Sequence, residues 1–599
     1  MFRLQYKSKA TWNVINSEKQ SKHPKYEPIQ LKIDNKVTGD PQKVADNLNS
    51  YFINAAANIL AQIPNCKAKI AEARHDVEEG LILWPTTPCE VSNTIKSLKS
   101  KNSSGFDGVP SKAVKYCESE LTHPLTNIIN KSFAQGKFPN NLKTAKVYPK
   151  FKQGDSTETQ NYRPISLLST FSKIIEKIAL ARLLQHLSRH QLLTEEQHGF
   201  TASKSTNTAI ITIIENLIKS IEEGDTTTAI FLDYSKAFDC INHDLLLKKL
   251  KNMGVRGPAG EWFKSYITNR SQAVEVKNLK GDIFVETISK SAKIKSGVPQ
   301  GSVLGPVLYI IFTSNLPRYL EDYCSTIMYA DDTALLLKNK KATDLEIQSF
   351  IALGMAQQYC HANTLVLNEK KSQQLIIGKK REEVAGLPDV MQVSQVRYLG
   401  VVIDDKLTWS DHLDKLCSKL SSALYVLRRL KGISSEETTK AAYFALFEAH
   451  VRYGIAVWGN SSITNTQRVL VLQKKAVRIL AGLGPRESCR TAFKRLKVLT
   501  VVSLFILETA LHAKRQNLQR GTDLHNYKTR RANNIVLPIH RLTLYEKQPT
   551  YLGAKFLNIL PEEVKNVQCE KKLRKSITAW LHQRAFYTVD EFENWRHNF

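Results

Sequence analysis

The sequence predicts an α+β fold, with a small and scattered set of short strands among many helices. Three observations carry that reading. Apolar residues recur at helical spacing through roughly the first 220 residues and again beyond residue 405. Between those stretches, short apolar runs at 227–232 and 325–337 end or break at aspartates. Such runs are too few and too far apart for the regular strand–helix alternation of a doubly wound sheet.

Taken in order, the first predicted helix covers 41–62, opened by Asp40-Pro41, with Val44, Leu48, Phe52, Ala55 and Ile59 on one face. A second, over 88–100, carries Val91, Ile95 and Leu98. It breaks at the polar loop Lys101-Asn102-Ser103-Ser104-Gly105-Phe106-Asp107-Gly108. Further helices are expected near 120–135, 170–190 and 205–222. Thr227 to Asp233 then reads as a buried strand ending in a charge, and 325–337 as a hairpin closing on Asp331-Asp332. A third apolar run spans Val396 to Ile403. Beyond 405 the helical period returns, with Leu413, Leu416, Leu420, Leu424 and Leu427 in line and Lys415, Lys419, Arg428 and Arg429 off it.

A chain of 599 residues exceeds one ordinary core, and about three or four structural units are expected. Its 85 Lys and Arg against 56 Asp and Glu give a net charge of +29, which calls for a polyanionic partner. Nucleic acid fits better than a membrane surface, because no run of 18 apolar residues occurs and no polybasic block flanks an amphipathic anchor. Met1 to Gln5 lacks the apolar core of a secretion signal. Nine cysteines without a C-x-x-C pair argue against a zinc knuckle or disulfide framework, and a reducing compartment is expected. The charge is uneven: Asp405 to Phe599 holds 33 Lys and Arg against 16 Asp and Glu, a net +17 in 195 residues. That region reads as a nucleic-acid track, with a merely solvated surface as the plain alternative.

The acids are more pointed. Asp331 and Asp332 sit at the tip of one apolar hairpin, and Asp233 ends a separate apolar strand. Carboxylates packed together repel unless a cation neutralises them, so three at strand ends in a basic protein invite a divalent metal. Two such ions about 3.5–4 Å apart serve nucleotidyl transfer by activating a hydroxyl and stabilising the leaving pyrophosphate. Neighbouring residues of a flat hairpin point to opposite faces, so Asp331 and Asp332 are not expected to contribute equally. A lone Asp-Asp is ordinarily a turn.

Their company decides otherwise. Tyr329-Ala330-Asp331-Asp332 resembles the signature hairpin of reverse transcriptases, and Phe231-Leu232-Asp233-Tyr234-Ser235-Lys236-Ala237-Phe238-Asp239 resembles their first metal-binding strand. Ser296-Gly297-Val298-Pro299-Gln300-Gly301-Ser302-Val303-Leu304-Gly305-Pro306 is similar to the segment supporting template and incoming nucleotide. Asn161-Tyr162-Arg163-Pro164-Ile165-Ser166 is similar to the fingers motif whose arginine grips the triphosphate. Leu367-Asn368-Glu369-Lys370-Lys371-Ser372 and Tyr398-Leu399-Gly400-Val401 resemble the next two palm motifs. Six motifs in the expected order identify a non-LTR (LINE-type) retrotransposon reverse transcriptase. Stretches such as Lys9-Ala10-Thr11-Trp12, Ala445 to Gly459 and Tyr587 to Phe592 suggest the jockey-like group.

The resemblance implies a right-hand polymerase. Its parts would be a helical N-terminal extension over 1–130, fingers and palm over 131–404, and a basic helical thumb with C-terminal region over 405–599. It implies two Mg²⁺ ions on Asp233, Asp331 and Asp332, with RNA template, DNA primer and deoxynucleoside triphosphates as partners and no membrane. Arg163 would pair bidentately with phosphate oxygens. Lys150 is a second phosphate contact, with Lys146 and Lys152 as rivals for that role. Gln300 offers a directed hydrogen bond, Gly301 a close backbone, and Phe238 a wall under the sugar. Lys371, beside Lys370, is a proton donor to pyrophosphate. The plain alternatives are a surface arginine, solvated lysines, a simple turn and a core phenylalanine. Family membership also implies action in the nucleus at integration and presence in the cytoplasm. Too few residues precede the Asn102–Gly108 loop for the endonuclease such elements carry. No knuckle or ribonuclease H constellation follows the palm, so a 5′-truncated element or a host gene derived from one is expected. The rivals are an RNA-dependent RNA polymerase, against which Phe238 argues, and a silent nucleic-acid-binding remnant, against which the intact aspartates argue.

Overall fold

Two sheets set the site's geometry. The structure, a computed structural model, describes residues 28–61, 77–280, 283–524, 532–565, 567 and 569–598, so Lys9 to Trp12 and Met1 to Gln5 lie outside the described residues. A small hairpin, β1 (Leu31–Ile33) and β2 (Lys36–Thr38), leads into α1 (Pro41–Leu60). The Asp40 side chain accepts from the N–H groups of Gln42 and Lys43, and Pro41 fits the first turn, where no N–H is needed. Val44, Leu48, Phe52 and Ala55 are buried, as their spacing predicts. Helices α2 (Pro88–Ser97), α3 (Glu118–Ala134), α4 (Thr170–Arg189) and α5 (Thr206–Glu223) fall where the sequence expects them.

Among them run β3 (Thr144–Phe151), β4 (Tyr162–Leu167), β5 (Thr226–Leu232), β6 (Ser271–Lys280), β7 (Ile283–Ile288) and β8 (Ala292–Lys293). After α6 (Gly305–Thr313) come β9 (Ser325–Tyr329) and β10 (Asp332–Asn339), then α7 (Ala342–Ala362), β11 (Gln373–Ile377) and β12 (Met391–Val393). The run Val396–Ile403 is a hairpin, β13 (Gln395–Tyr398) and β14 (Val401–Asp404), turned at Leu399-Gly400 with φ of 45° and 86°. One five-stranded sheet has the order β12-β11-β5-β10-β9; the other has β4-β3-β6-β7, with β8 also on β6.

Every residue of β5 is buried. Ala229 and Phe231 face one apolar core, shared with α5, while Ile230 and Leu232 face another, shared with α4, α6 and α7. A third, small core joins α1 to the second sheet through Leu48, Phe52, Val147, Tyr162 and Val274. Beyond 405, α8 (Ser410–Ile433), α9 (Val501–Arg515) and α10 (Pro549–Ile559) bury their apolar faces in the core that holds α5. Residue 130 lies inside α3, and one apolar core holds residues on both sides of residue 404, among them Ile403 and Leu407. Among the described residues no single helix is long and apolar enough to cross a membrane.

Candidate active site

Backbone register brings the acids together. In the antiparallel pairing of β10 with β5, Thr333 faces Leu232, so one further step sets Asp332 across from Asp233. Asp332 also pairs with Tyr329 of β9, which leaves Ala330 and Asp331 as the tight turn, with Ala330 at φ 55°. Two braces hold this arrangement. The buried Gln197 side-chain oxygen accepts from the N–H of Ala330 (3.0 Å) and of Gly199 (2.7 Å). Beside it, Met328 N–H donates to Glu196 C=O (2.9 Å) and His198 N–H to Met328 C=O (2.7 Å). On the other side, Asp233 N–H donates to the Ser372 hydroxyl (3.2 Å), and Asn368 N–H donates to Asp233 C=O (2.7 Å). Ser372 in turn donates to Asn368 C=O (3.0 Å).

The cations come from the second sheet. Arg163 and Lys150 are register partners in β4 and β3, and the two-residue period puts Lys152 on the same face. Arg163, Lys150 and Lys371 are exposed. Lys146, a rival of Lys150, is instead engaged by buried Glu275 at 2.6 Å. The groups share one field. Burial, then the charges of Asp331 and Asp233, push the Asp332 carboxyl up to about 6. Burial, then Asp233, raises Asp331, and Arg163 pulls it back. Both residues are exposed at the hairpin tip, with enough protein close by to disfavour their charged forms. Burial lowers the Lys152 ammonium first, and Arg163 and Lys371 lower it further, with Asp233 opposing.

Among the described residues no group of three or more His, Cys, Asp or Glu side chains is placed to hold a metal ion by itself. Asp331 and Asp332 both feel the charge of Asp233, which favours their protonation. A divalent cation relieves that repulsion, so the donor set suits one.

The loop from 296 to 301 closes the floor. Gln300 donates from its amide to both Asp239 oxygens (2.9 and 3.1 Å), and its C=O accepts from Ser166 N–H (2.9 Å). Burial raises Asp239, and the Gln300 bond opposes the rise. Gly301 has φ 126°, and a Cβ there would lie 2.6 Å from Ser166 O, so only glycine lets the loop approach β4. The Phe238 ring stacks on Tyr309, centroids 4.6 Å apart and planes 26° apart.

Residues 148–403 match the family described as reverse transcriptase (RNA-dependent DNA polymerase). They are a reverse transcriptase domain. The chain is 28% identical to a probable RNA-directed DNA polymerase from transposon BS of Drosophila melanogaster, over 77% of this chain and 50% of that protein. It is 26% identical to a probable RNA-directed DNA polymerase from transposon X-element of the same species, over 77% and 51%. It is 27% identical to the RNA-directed DNA polymerase from its mobile element jockey, over 68% and 45%. The chain thus spans about half the length of the curated relatives it matches, and the family expected from the motifs is the family found.

Within the reverse transcriptase domain, the structure gathers Asp233, Asp331, Asp332, Arg163, Lys152 and Lys371 into one field, with Lys150 on the same face as Arg163. It turns the Gln300 amide inward to Asp239 and gives Gly301 a packing role against Ser166. Nothing in the sequence singles out Gln197, Asp239, Tyr309 or the Ser372 hydroxyl as part of the site. Gln197 lies in Glu195-Glu196-Gln197-His198-Gly199, where a glycine after polar residues reads as an ordinary loop.

Proposed function

We propose that this chain is an RNA-directed DNA polymerase adding deoxynucleotides to a DNA 3′-hydroxyl on an RNA template. The observation that carries the reading is the convergence of three carboxylates from the β5–β10 end with Arg163, Lys152 and Lys371 from outside that sheet. The family depends on divalent metal. Two Mg²⁺ ions held by Asp233, Asp331 and Asp332 would supply activation of the primer hydroxyl and neutralise charge at the leaving pyrophosphate. The planar Arg163 guanidinium suits a phosphate oxygen pair, and Lys150 or Lys152 adds a second positive contact. Lys371 stands as the proton donor to pyrophosphate, its charge acting on Lys152 where no such effect of Lys370 is found. Phe238, stiffened by Tyr309, is the wall under the sugar.

In right-hand terms, the basic sheet belongs to the fingers, the carboxylate sheet to the palm, and the helices beyond 405 to the thumb and C-terminal region. The described residues ahead of the fingers, 28–61 and 77–130, would belong to the N-terminal extension. The partners are RNA template, DNA primer and deoxynucleoside triphosphates, and the place of action at integration is the nucleus. Primer extension by the purified chain, offered deoxy- and ribonucleotides on RNA and DNA templates, tests the proposal. The expected result is RNA-templated extension with deoxynucleotides. Extension with ribonucleotides alone, or none while RNA is bound, contradicts it.

A further inference from the structure

Just ahead of β6 lies a buried arginine, Arg270, that makes no salt bridge among the described residues. Arg270 is 2% exposed, and one of its Nη groups donates to Tyr266 C=O (3.1 Å). Its Nε and other Nη have no hydrogen-bond partner among the described residues. The guanidinium lies over the Tyr266 ring, 5.0 Å from its centroid. Glu176, in the same interior, is occupied: its oxygens accept from the Ser172 hydroxyl (2.7 Å) and the N–H groups of Val303 (2.7 Å) and Leu304 (3.3 Å). A second cation sits close by: buried Lys143, whose ammonium among the described residues reaches the Ser265 hydroxyl alone (3.3 Å), feels the charge of Arg270. Two buried cations without a counter-ion are disfavoured in a folded chain, and an anion relieves both.

Arg270 borders a cavity lined also by Gln272, Ser166, the 296–300 loop, and Phe52 and Ala56 of α1. Asp239 also borders it but accepts both amide hydrogen bonds of Gln300. The cavity measures about 40 Å³. At about 10–15 Å³ per water-sized group, that is room for about three oxygens, as on a phosphate, and too little for a base. It lies across β4 from the nucleotide: Pro164 and Ser166 border it, while Arg163 points to the opposite face. Exposed Lys293 and Lys295 flank Ile294 at its wall, a setting for a polyanion more than for a single free ion.

We propose that Arg270 holds a backbone phosphate of the single-stranded RNA template, behind the 296–300 loop and on the other side of β4 from Arg163. The inference rests on the RNA-directed reading above. Fluorescence anisotropy with a labelled RNA oligonucleotide, read over a salt series, tests it on the full chain. Arg270→Met should bind about tenfold more weakly, as loss of one charge-assisted contact implies. Its slope of log K against log salt should be shallower by about 0.7, one single-strand phosphate's worth. Arg270→Lys should keep the slope, and unliganded Arg270→Met should melt no lower than wild type. Wild-type affinity and slope in Arg270→Met overturn the proposal, as does an equal loss of slope in the Met and Lys variants. Inorganic phosphate separates the sources. If it raises the melting temperature of wild type alone while RNA affinity is the same in both, the site is one for a free anion and the RNA assignment falls. Arg270-dependent RNA binding without any primer extension supports this site and overturns the polymerase reading instead.

Discussion

Strand β5, at the centre of the carboxylate sheet, is seven residues long, uncharged and buried throughout, and its acid comes one position past its end, at Asp233. Strand β3 of the other sheet alternates buried and exposed positions, carries Lys146 and Lys150 within its length, and contains Pro149. The contrast follows from the charges each delivers. Acids that repel must be clamped by rigid apolar strands at their very tips, with Gln197 and Ser372 fixing the backbone on either side. Cations that reach toward those acids need only one exposed face, because long side chains span the gap.

If that division is right, the two sheets fail differently. Arg163→Gln should weaken deoxynucleotide binding about 10- to 100-fold, the loss of about 1.5–3 kcal/mol expected for a charge-assisted contact, with RNA affinity nearly unchanged. Steady-state and RNA-binding measurements on one preparation check this; an unaltered KM for nucleotide breaks the comparison. Next in size is Phe238→Val. Discrimination against ribonucleotides should fall by about one to two orders of magnitude, with the melting temperature modestly reduced. Unchanged sugar selectivity beside a lowered melting temperature returns Phe238 to the core and revives an RNA-polymerase reading.

The acids give a pH signature. The folded Asp332 carboxyl titrates near 6, above its ordinary value near 3.8. The folded state therefore binds more protons, and metal-free protein loses stability as pH rises from about 4 through about 6. Thermal melts without metal should show that decline, Asp332→Asn should flatten it, and Mg²⁺ should oppose it above pH 6 by relieving the repulsion. A metal-free melting temperature that climbs over this window contradicts the clustering. Smallest is Ser372→Ala, which leaves Asp233 N–H without its acceptor and should cost about 1 kcal/mol, restored by Ser372→Thr. Equal stability of the Ala and Thr variants would remove the brace.

The same contrast explains what the sequence made legible. Helix α1, strand β5 and the Asp331-Asp332 hairpin follow from period, cap and apolar runs, because each buries a face in one piece of chain. The basic sheet hides its strands: Pro149 pairs with Pro164, and β6 buries Gln272, Glu275 and Asn278 between apolar residues. The aspartates and Arg163 announce themselves through their motifs. Gln197 and Ser372 do not, since they act on backbone groups 133 and 139 residues away. The basic excess beyond 405 is plain from composition, but its packing against α5 is not. Deleting that region would uncover the α5 core, so its salt dependence is better examined by neutralising exposed Lys415 and Lys419.

The central claim is that the carboxylate cluster performs chemistry and does not serve to bind RNA. RNA-templated single-nucleotide addition by wild type and Asp331→Asn, with RNA affinity measured on the same samples, tests it most directly. The account predicts a loss of roughly a thousandfold or more in rate for Asp331→Asn, because a metal ligand for the transition state is gone, at unchanged RNA affinity. Equal rates in the two proteins, or a parallel loss of RNA binding and activity, would contradict it.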